Sequence, residues 1–79
     1  MITLYVIQSV NKKFRYVGIT NDLDRRVSQH NKGKNVSTKN YKPFYLIYTE
    51  KFINYKKARE KEIFYKSGFG RKVLDNLNI

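Results

Sequence analysis

The sequence contains no cysteine. Disulfides and thiolate-bound zinc are therefore excluded as staples, and buried hydrophobic mass has to hold the fold together. The chain is also short. Its 79 residues imply one compact domain, 1–79, and a domain of that size hides a modest share of its surface and has little stability to spare. Acidic residues are scarce, with six Asp and Glu against seventeen Lys and Arg. Long hydrophobic runs are missing too. The opening "MITLYVIQSV" has no basic flank before its apolar stretch, and that stretch is too short to cross a bilayer. Neither a signal peptide nor a membrane span is expected, which leaves a soluble, cytoplasmic protein. Repeats, low-complexity tracts and internal linkers are likewise absent.

What is present compensates. Seven Tyr and five Phe supply much contact area per residue. The formal net charge of +11 costs self-repulsion and creates a field that attracts polyanions. Nucleic acid is the leading partner. A membrane surface fits less well, because such binders carry Trp or Leu opposite the basic face of an amphipathic helix. A generally basic soluble surface would give the same total. Charge names a partner class and no chemistry.

Along the chain, "ITLYVIQS" at 2–9 is an apolar, β-branched run that suits a buried strand. "VNKK" at 10–13 is a turn, and "FRYVGIT" at 14–20 pairs back as a hairpin. Asn21 or Asp22 can cap a helix whose thin apolar stripe is Leu23 and Val27, and which Gly33 stops. Asp24 in its first turn suits the helix dipole. A polar stretch over 31–42 follows, of a length often functional or mobile. "PFYLIYTEKF" at 43–52 is a third strand that tolerates the chain's single proline at its first position. Asn54 caps a second helix through about Lys66, "SGFG" breaks it, and Arg71 to about Leu77 forms a short last helix. The order β-β-α-β-α-α predicts an α+β fold, a small three-stranded antiparallel sheet flanked by helices.

Several polar side chains fall where chemistry would need them. Tyr5 and Tyr16 share a sheet face if the turn between the strands has an even number of residues. Gly18, beside Tyr16, marks a place where another group approaches the backbone closely. Arg26 and His30 are four apart and so neighbours on one helix face. Taken singly, each of these suits an ordinary role: core aromatics, a solvated arginine, a surface histidine. Glu62 is the oddity, because Tyr55, Ala58, Glu62 and Tyr65 form one helical stripe with Ile63 at its edge, the face expected to pack on the sheet. Glu60, by contrast, lies among Lys56, Lys57 and Lys61, where surface pairing accounts for it. An inward carboxylate is costly without a cation. Arg26, a metal ion, or both would supply one, and an internal Glu–Arg salt bridge is the structural alternative. Together these types match phosphodiester hydrolysis. A divalent ion on a carboxylate neutralises developing charge, and arginine binds phosphate oxygens and stabilises the pentacovalent state. A tyrosine with its pKa lowered by neighbouring cations can accept a proton from water.

"TLYVI" at 3–7, "YVG" at 16–18, "ITNDLDRRVSQHN" and "AREKEIFYKSGFGR" at 58–71 together resemble the GIY-YIG nuclease family. The likeness is strongest to its small stand-alone bacterial members, similar to the amino-terminal nuclease domain of the excision-repair endonuclease, which points to DNA repair. It covers nearly the whole chain. The first motif keeps only its tyrosine and the second has Val for Ile, changes that preserve strand character and both hydroxyls. The resemblance implies Tyr5, Tyr16, Arg26, His30 and Glu62 as catalytic residues, with Glu62 alone holding Mg2+ or Mn2+. Tyr16, assisted by Tyr5 or His30, would take the proton of the attacking water, and Asn76 matches a carboxy-terminal asparagine of some members.

The expected function is thus a divalent-metal-dependent endonuclease acting on DNA. The alternative is a catalytically silent module that binds nucleic acid through its basic residues. Lys12, Lys13, Lys32, Lys34, Lys39, Lys66 and Arg71, with Asn76, are the expected nucleic-acid contacts. Backbone contacts position without specifying, so specificity calls for a homodimer, a partner protein or a DNA structure.

Overall fold

The computed structural model describes residues 1–77. Three strands, β1 (Ile2–Ser9), β2 (Arg15–Thr20) and β3 (Phe44–Phe52), form an antiparallel sheet in the order β2-β1-β3. The helices are α1 (Leu23–Asn31), α2 (Tyr55–Lys66) and α3 (Gly68–Asp75), with a 3-10 turn at Lys39–Tyr41. The α+β arrangement and the order β-β-α-β-α-α are as the sequence predicts.

Central β1 is the most apolar strand, and it is buried on both sides. Leu4 and Val6 face α2 and α3, where they pack with Val17, Tyr65 and Leu74. Tyr5 and Ile7 face the other way, toward Phe44, Leu23 and Val27 of α1, and Tyr41 of the intervening loop. Each fully buried aliphatic side chain stabilises the fold by about 1.5–3 kcal/mol. A bulge in β3 completes this two-sided design. The register slips between Val6 and Ile7, so Val6 opposes Tyr48 while Ile7 opposes Leu46. The extra residue switches parity. Phe52 therefore packs on the α2/α3 side, and Phe44, though also even-numbered, packs with Tyr5.

Helix starts follow the expected caps. The Asp22 side chain accepts from the Arg25 amide, and Asn54 accepts from the Lys57 amide. The end of the chain departs from expectation. "SGFG" does stop α2, but Ser67 then caps α3 by accepting from Gly70 N–H, so Gly68 to Gly70 lie inside that helix. Gly70 is buried at the α2–α3 crossing, where a Cβ would overlap the Phe64 carbonyl. A glycine read as a breaker is there for close packing.

Candidate active site

The Ser9 amide donates to the Phe14 carbonyl at 2.9 Å, so four residues, 10–13, an even number, separate the last paired positions of the hairpin, and Tyr5 and Tyr16 share a sheet face. In register, Tyr5 opposes Gly18 and Tyr16 opposes Ile7, which makes the two tyrosines diagonal neighbours with ring centroids 6.2 Å apart. Tyr5 is fully buried, whereas Tyr16 is half-buried. The group that approaches Gly18 is Tyr5 itself. A Cβ at Gly18 would lie 2.5 Å from the Tyr5 hydroxyl oxygen, so the absence of a side chain makes room for that ring.

Helix α1 brings His30 and Arg26 to the same face of the sheet. His30 is wholly inaccessible, which corrects the view of it as a surface residue. Its Nε2 is 2.8 Å from the Tyr5 hydroxyl, and its Nδ1 is 2.8 Å from the Thr38 hydroxyl. The Tyr16 ring stands 4.9 Å from the imidazole, centroid to centroid. Arg26 is partly buried and donates to Gln29 Oε1 at 3.3 Å. Burial pushes the Tyr5 hydroxyl up to about 12, hydrogen bonding from Arg26 opposes that rise, and the charge of Glu62 adds to it. The same bond holds the Arg26 guanidinium above its ordinary value. His30 is held below the usual histidine range, first by burial and then by the Arg26 charge.

Glu62 does point inward, with its side chain 11% exposed. Its stripe on α2 is narrower than the sequence pattern suggests. Ala58, Glu62 and Tyr65 are buried, but Tyr55 and Ile63 are exposed. Its partners also differ from expectation. Arg26 donates to Gln29, and the cations on Glu62 come from its own helix. Lys66 Nζ is 3.0 Å from Oε2 and Arg59 Nε is 3.6 Å from Oε1. Lys66 Nζ also lies 5.8 Å from the centre of the Tyr16 ring, so one ammonium lies near both the carboxylate and the half-buried phenol.

Beside Tyr16, along the β2 edge and α3, runs a groove of about 720 Å³ lined by Phe14, Tyr16 and Val17 and by the charged Lys13, Arg15, Lys66, Arg71 and Asp75, four cations to one carboxylate. Arg15 did not stand out in the sequence. It pairs with Asp75 at 2.9 Å and donates to the Arg71 carbonyl at 3.3 Å, which ties the wall of β2 to α3. The other basic positions are scattered. Lys12 donates to the Asn40 carbonyl at 3.2 Å and lies over the Tyr41 ring. Lys32, Lys34 and Lys39 are exposed on the segment between α1 and β3, and Asn76 is the exposed C-cap of α3.

Among the described residues no group of three His, Cys, Asp or Glu comes together. Glu62 is the inward carboxylate here that could hold an ion. The donor fits a hard divalent cation such as magnesium, which often takes one or two carboxylates and completes its shell with phosphate and water. Lys66 and Arg59 are 49% and 68% exposed, so both can withdraw from the carboxylate into solvent.

The GIY-YIG catalytic domain matches residues 1–75, and the chain belongs to that nuclease family. It is 38% identical over 63 residues to UPF0213 protein YazA of Bacillus subtilis, which covers 78% of this chain and 63% of that one. Over 48 residues it is 40% identical to UPF0213 protein OB0043 of Oceanobacillus iheyensis, covering 60% and 56% of the two chains. UPF0213 protein SpyM3_1077 of Streptococcus pyogenes serotype M3 is 36% identical over 64 residues, 80% of this chain and 68% of that one. The chain thus spans less than two thirds of the first two relatives. No solved structure matches it significantly.

Proposed function

We propose that this chain is a divalent-metal-dependent endonuclease that hydrolyses phosphodiester bonds in DNA. One observation carries the reading. A half-buried phenol, Tyr16, lines a basic groove with Tyr5, His30 and Arg26 packed behind it and Lys66, the partner of the inward Glu62, near its ring. A core that needed only shape would not gather these groups, drawn from both faces, around the β2 edge of the sheet.

In this reading the groove holds the phosphate backbone through Lys13, Arg15, Lys66 and Arg71. Tyr16 lines that groove and accepts the proton of the attacking water, with Arg26 and Lys66 supplying positive charge nearby. Arg26 binds a phosphate oxygen and stabilises the pentacovalent state. Tyr5 is sealed from solvent, so it positions Arg26 and Tyr16 and does not meet water itself. Glu62 would hold Mg2+ or Mn2+, which when bound neutralises charge on the phosphate and the leaving oxygen. Phosphate contacts carry no sequence information, so the choice of site falls to a second copy, a partner protein or a DNA structure. A DNA-repair role and a cytoplasmic location follow from the same reading.

The second reading is a silent nucleic-acid-binding module, favoured by one feature: Lys66 and Arg59 already neutralise Glu62. A panel of labelled duplex, flap, junction and RNA substrates with Mg2+ or Mn2+ separates the two. Nicking by the wild type that Glu62→Ala abolishes supports the nuclease. Binding without product, falling with salt at a slope of about −0.9 per phosphate contacted and unaffected by Glu62→Ala, supports the module.

A further inference from the structure

We propose that Thr38 is a positioning residue that fixes the tautomer of His30 and, through it, the direction of the Tyr5 hydroxyl. The inference deepens the nuclease reading and takes its place in the reaction from it. Thr38 lies in the polar 31–42 segment, yet its side chain is wholly buried.

Donor and acceptor counting makes the assignment. Tyr5 is fully buried, so its hydroxyl proton needs a protein acceptor, and a neighbouring arginine, which has only donors, cannot be one. Among the described residues, the acceptor for that proton is His30 Nε2, at 2.8 Å. Nε2 must then be bare, and the neutral ring carries its hydrogen on Nδ1. Nδ1–H donates to Thr38 Oγ1, also at 2.8 Å, and the Thr38 hydroxyl in turn faces the Asn35 carbonyl at 3.5 Å. The opposite tautomer would aim N–H at Tyr5 and leave the buried hydroxyl hydrogen without an acceptor among the described residues. Which ring nitrogen holds the proton is set by the bond the other makes, and here Thr38 makes that bond.

The segment is built to keep this hydroxyl still. Thr38 and Lys39 amides both donate to the Asn35 carbonyl, at 3.1 and 2.9 Å, and the Tyr41 amide donates to the Thr38 carbonyl at 2.9 Å. Asn35 Oδ1 accepts from the Ser37 amide and hydroxyl at 3.0 and 2.7 Å. The far end is pinned where Ser9 Oγ donates to the Tyr41 carbonyl at 2.6 Å. A stretch that composition marks as mobile is thus the support for a buried relay: Thr38 holds His30, and His30 accepts the hydrogen bond of the Tyr5 hydroxyl.

Because His30 is the only histidine, its two ring nitrogens can be read directly by long-range 15N–1H NMR on the labelled full chain. The wild type and Thr38→Ser should both show Nδ1 protonated and Nε2 bare. Thr38→Val, nearly isosteric but without the hydroxyl, should move population toward Nε2–H. Cleavage should fall about tenfold in Thr38→Val, as for lost outer-shell partners, and Thr38→Ser should recover it. A wild type carrying its proton on Nε2, or a valine variant with an unchanged tautomer, overturns the proposal. If Thr38→Val does not fold, the wild-type and serine spectra still decide the tautomer. A tautomer that responds as expected in a chain inert on every substrate would sustain the positioning and reject the nuclease reading.

Discussion

The two faces of the sheet each hold a pair of tyrosines, and the pairs live in opposite company. On the α2/α3 side, Tyr48 and Tyr65 both donate to one oxygen of Glu50, at 2.9 and 3.1 Å, with their rings edge-on. On the α1 side, Tyr5 faces an imidazole with a guanidinium beside it, and Tyr16 has an ammonium near its ring. Burial raises both buried phenols. At Tyr65 the neighbouring Tyr48 and Glu50 push the same way, whereas at Tyr5 hydrogen bonding from Arg26 pulls back. A phenol locked onto a carboxylate is a strut. One set among cations has a hydroxyl that can serve chemistry. The lesson is that neighbours, and not residue type or depth, separate the two.

That contrast can be broken most sharply at the carboxylates. Glu62→Gln is expected to lower cleavage by about two to three orders of magnitude, as removal of a key charge-stabilising group does. Glu50→Gln should leave cleavage within a few-fold and lower the melting temperature. Equal losses of activity from both would erase the distinction. The glycines come next. Gly70→Ala forces a methyl into the Phe64 carbonyl and should cost about 3 kcal/mol or more in chemical denaturation, with little effect on any folded fraction's activity. Gly18→Ala pushes on the Tyr5 hydroxyl. It should cost about 1–3 kcal/mol and also disturb the Tyr5–His30 bond, visible as a shifted His30 resonance.

Smaller effects follow from linkage. His30 is depressed in the fold, so the unfolded chain binds its proton first. The stability it contributes is present above the ordinary histidine value of about 6.5 and lost as pH falls through it. Thermal melts should therefore weaken between pH 7 and 5.5, and His30→Gln should flatten that slope. At the alkaline end the sign reverses. Tyr5, raised to about 12, contributes stability present below about pH 10 and lost as pH climbs from there toward 12. Tyr5→Phe should remove that part of the alkaline loss.

Much of this was legible in the chain. Strand periodicity and an even turn suffice to bring Tyr5 and Tyr16 to one face, and the spacing of Ala58, Glu62 and Tyr65 turns Glu62 inward. What stayed hidden depends on contacts between elements distant in sequence. Thr38 reads as one more polar loop residue until α1 folds back against it. Arg15 gains meaning only when α3 lands beside β2 and offers Asp75. The bulge in β3 leaves no mark in composition, because Ile47 suits either side of it. Glu62 takes Arg59 and Lys66 as partners because residues three and four apart on a helix are already adjacent, while Arg26 is committed elsewhere.

The most direct test sets the two pairs of phenols against each other in one assay. Single-turnover cleavage of a labelled DNA substrate is measured with Mg2+ for the wild type, Tyr16→Phe and Tyr65→Phe. Loss of the Tyr16 hydroxyl should cost about a hundredfold or more, as loss of a general base does, while loss of the Tyr65 hydroxyl leaves the rate within about threefold and costs about 1 kcal/mol of stability. Equal rates for the two variants would contradict the account.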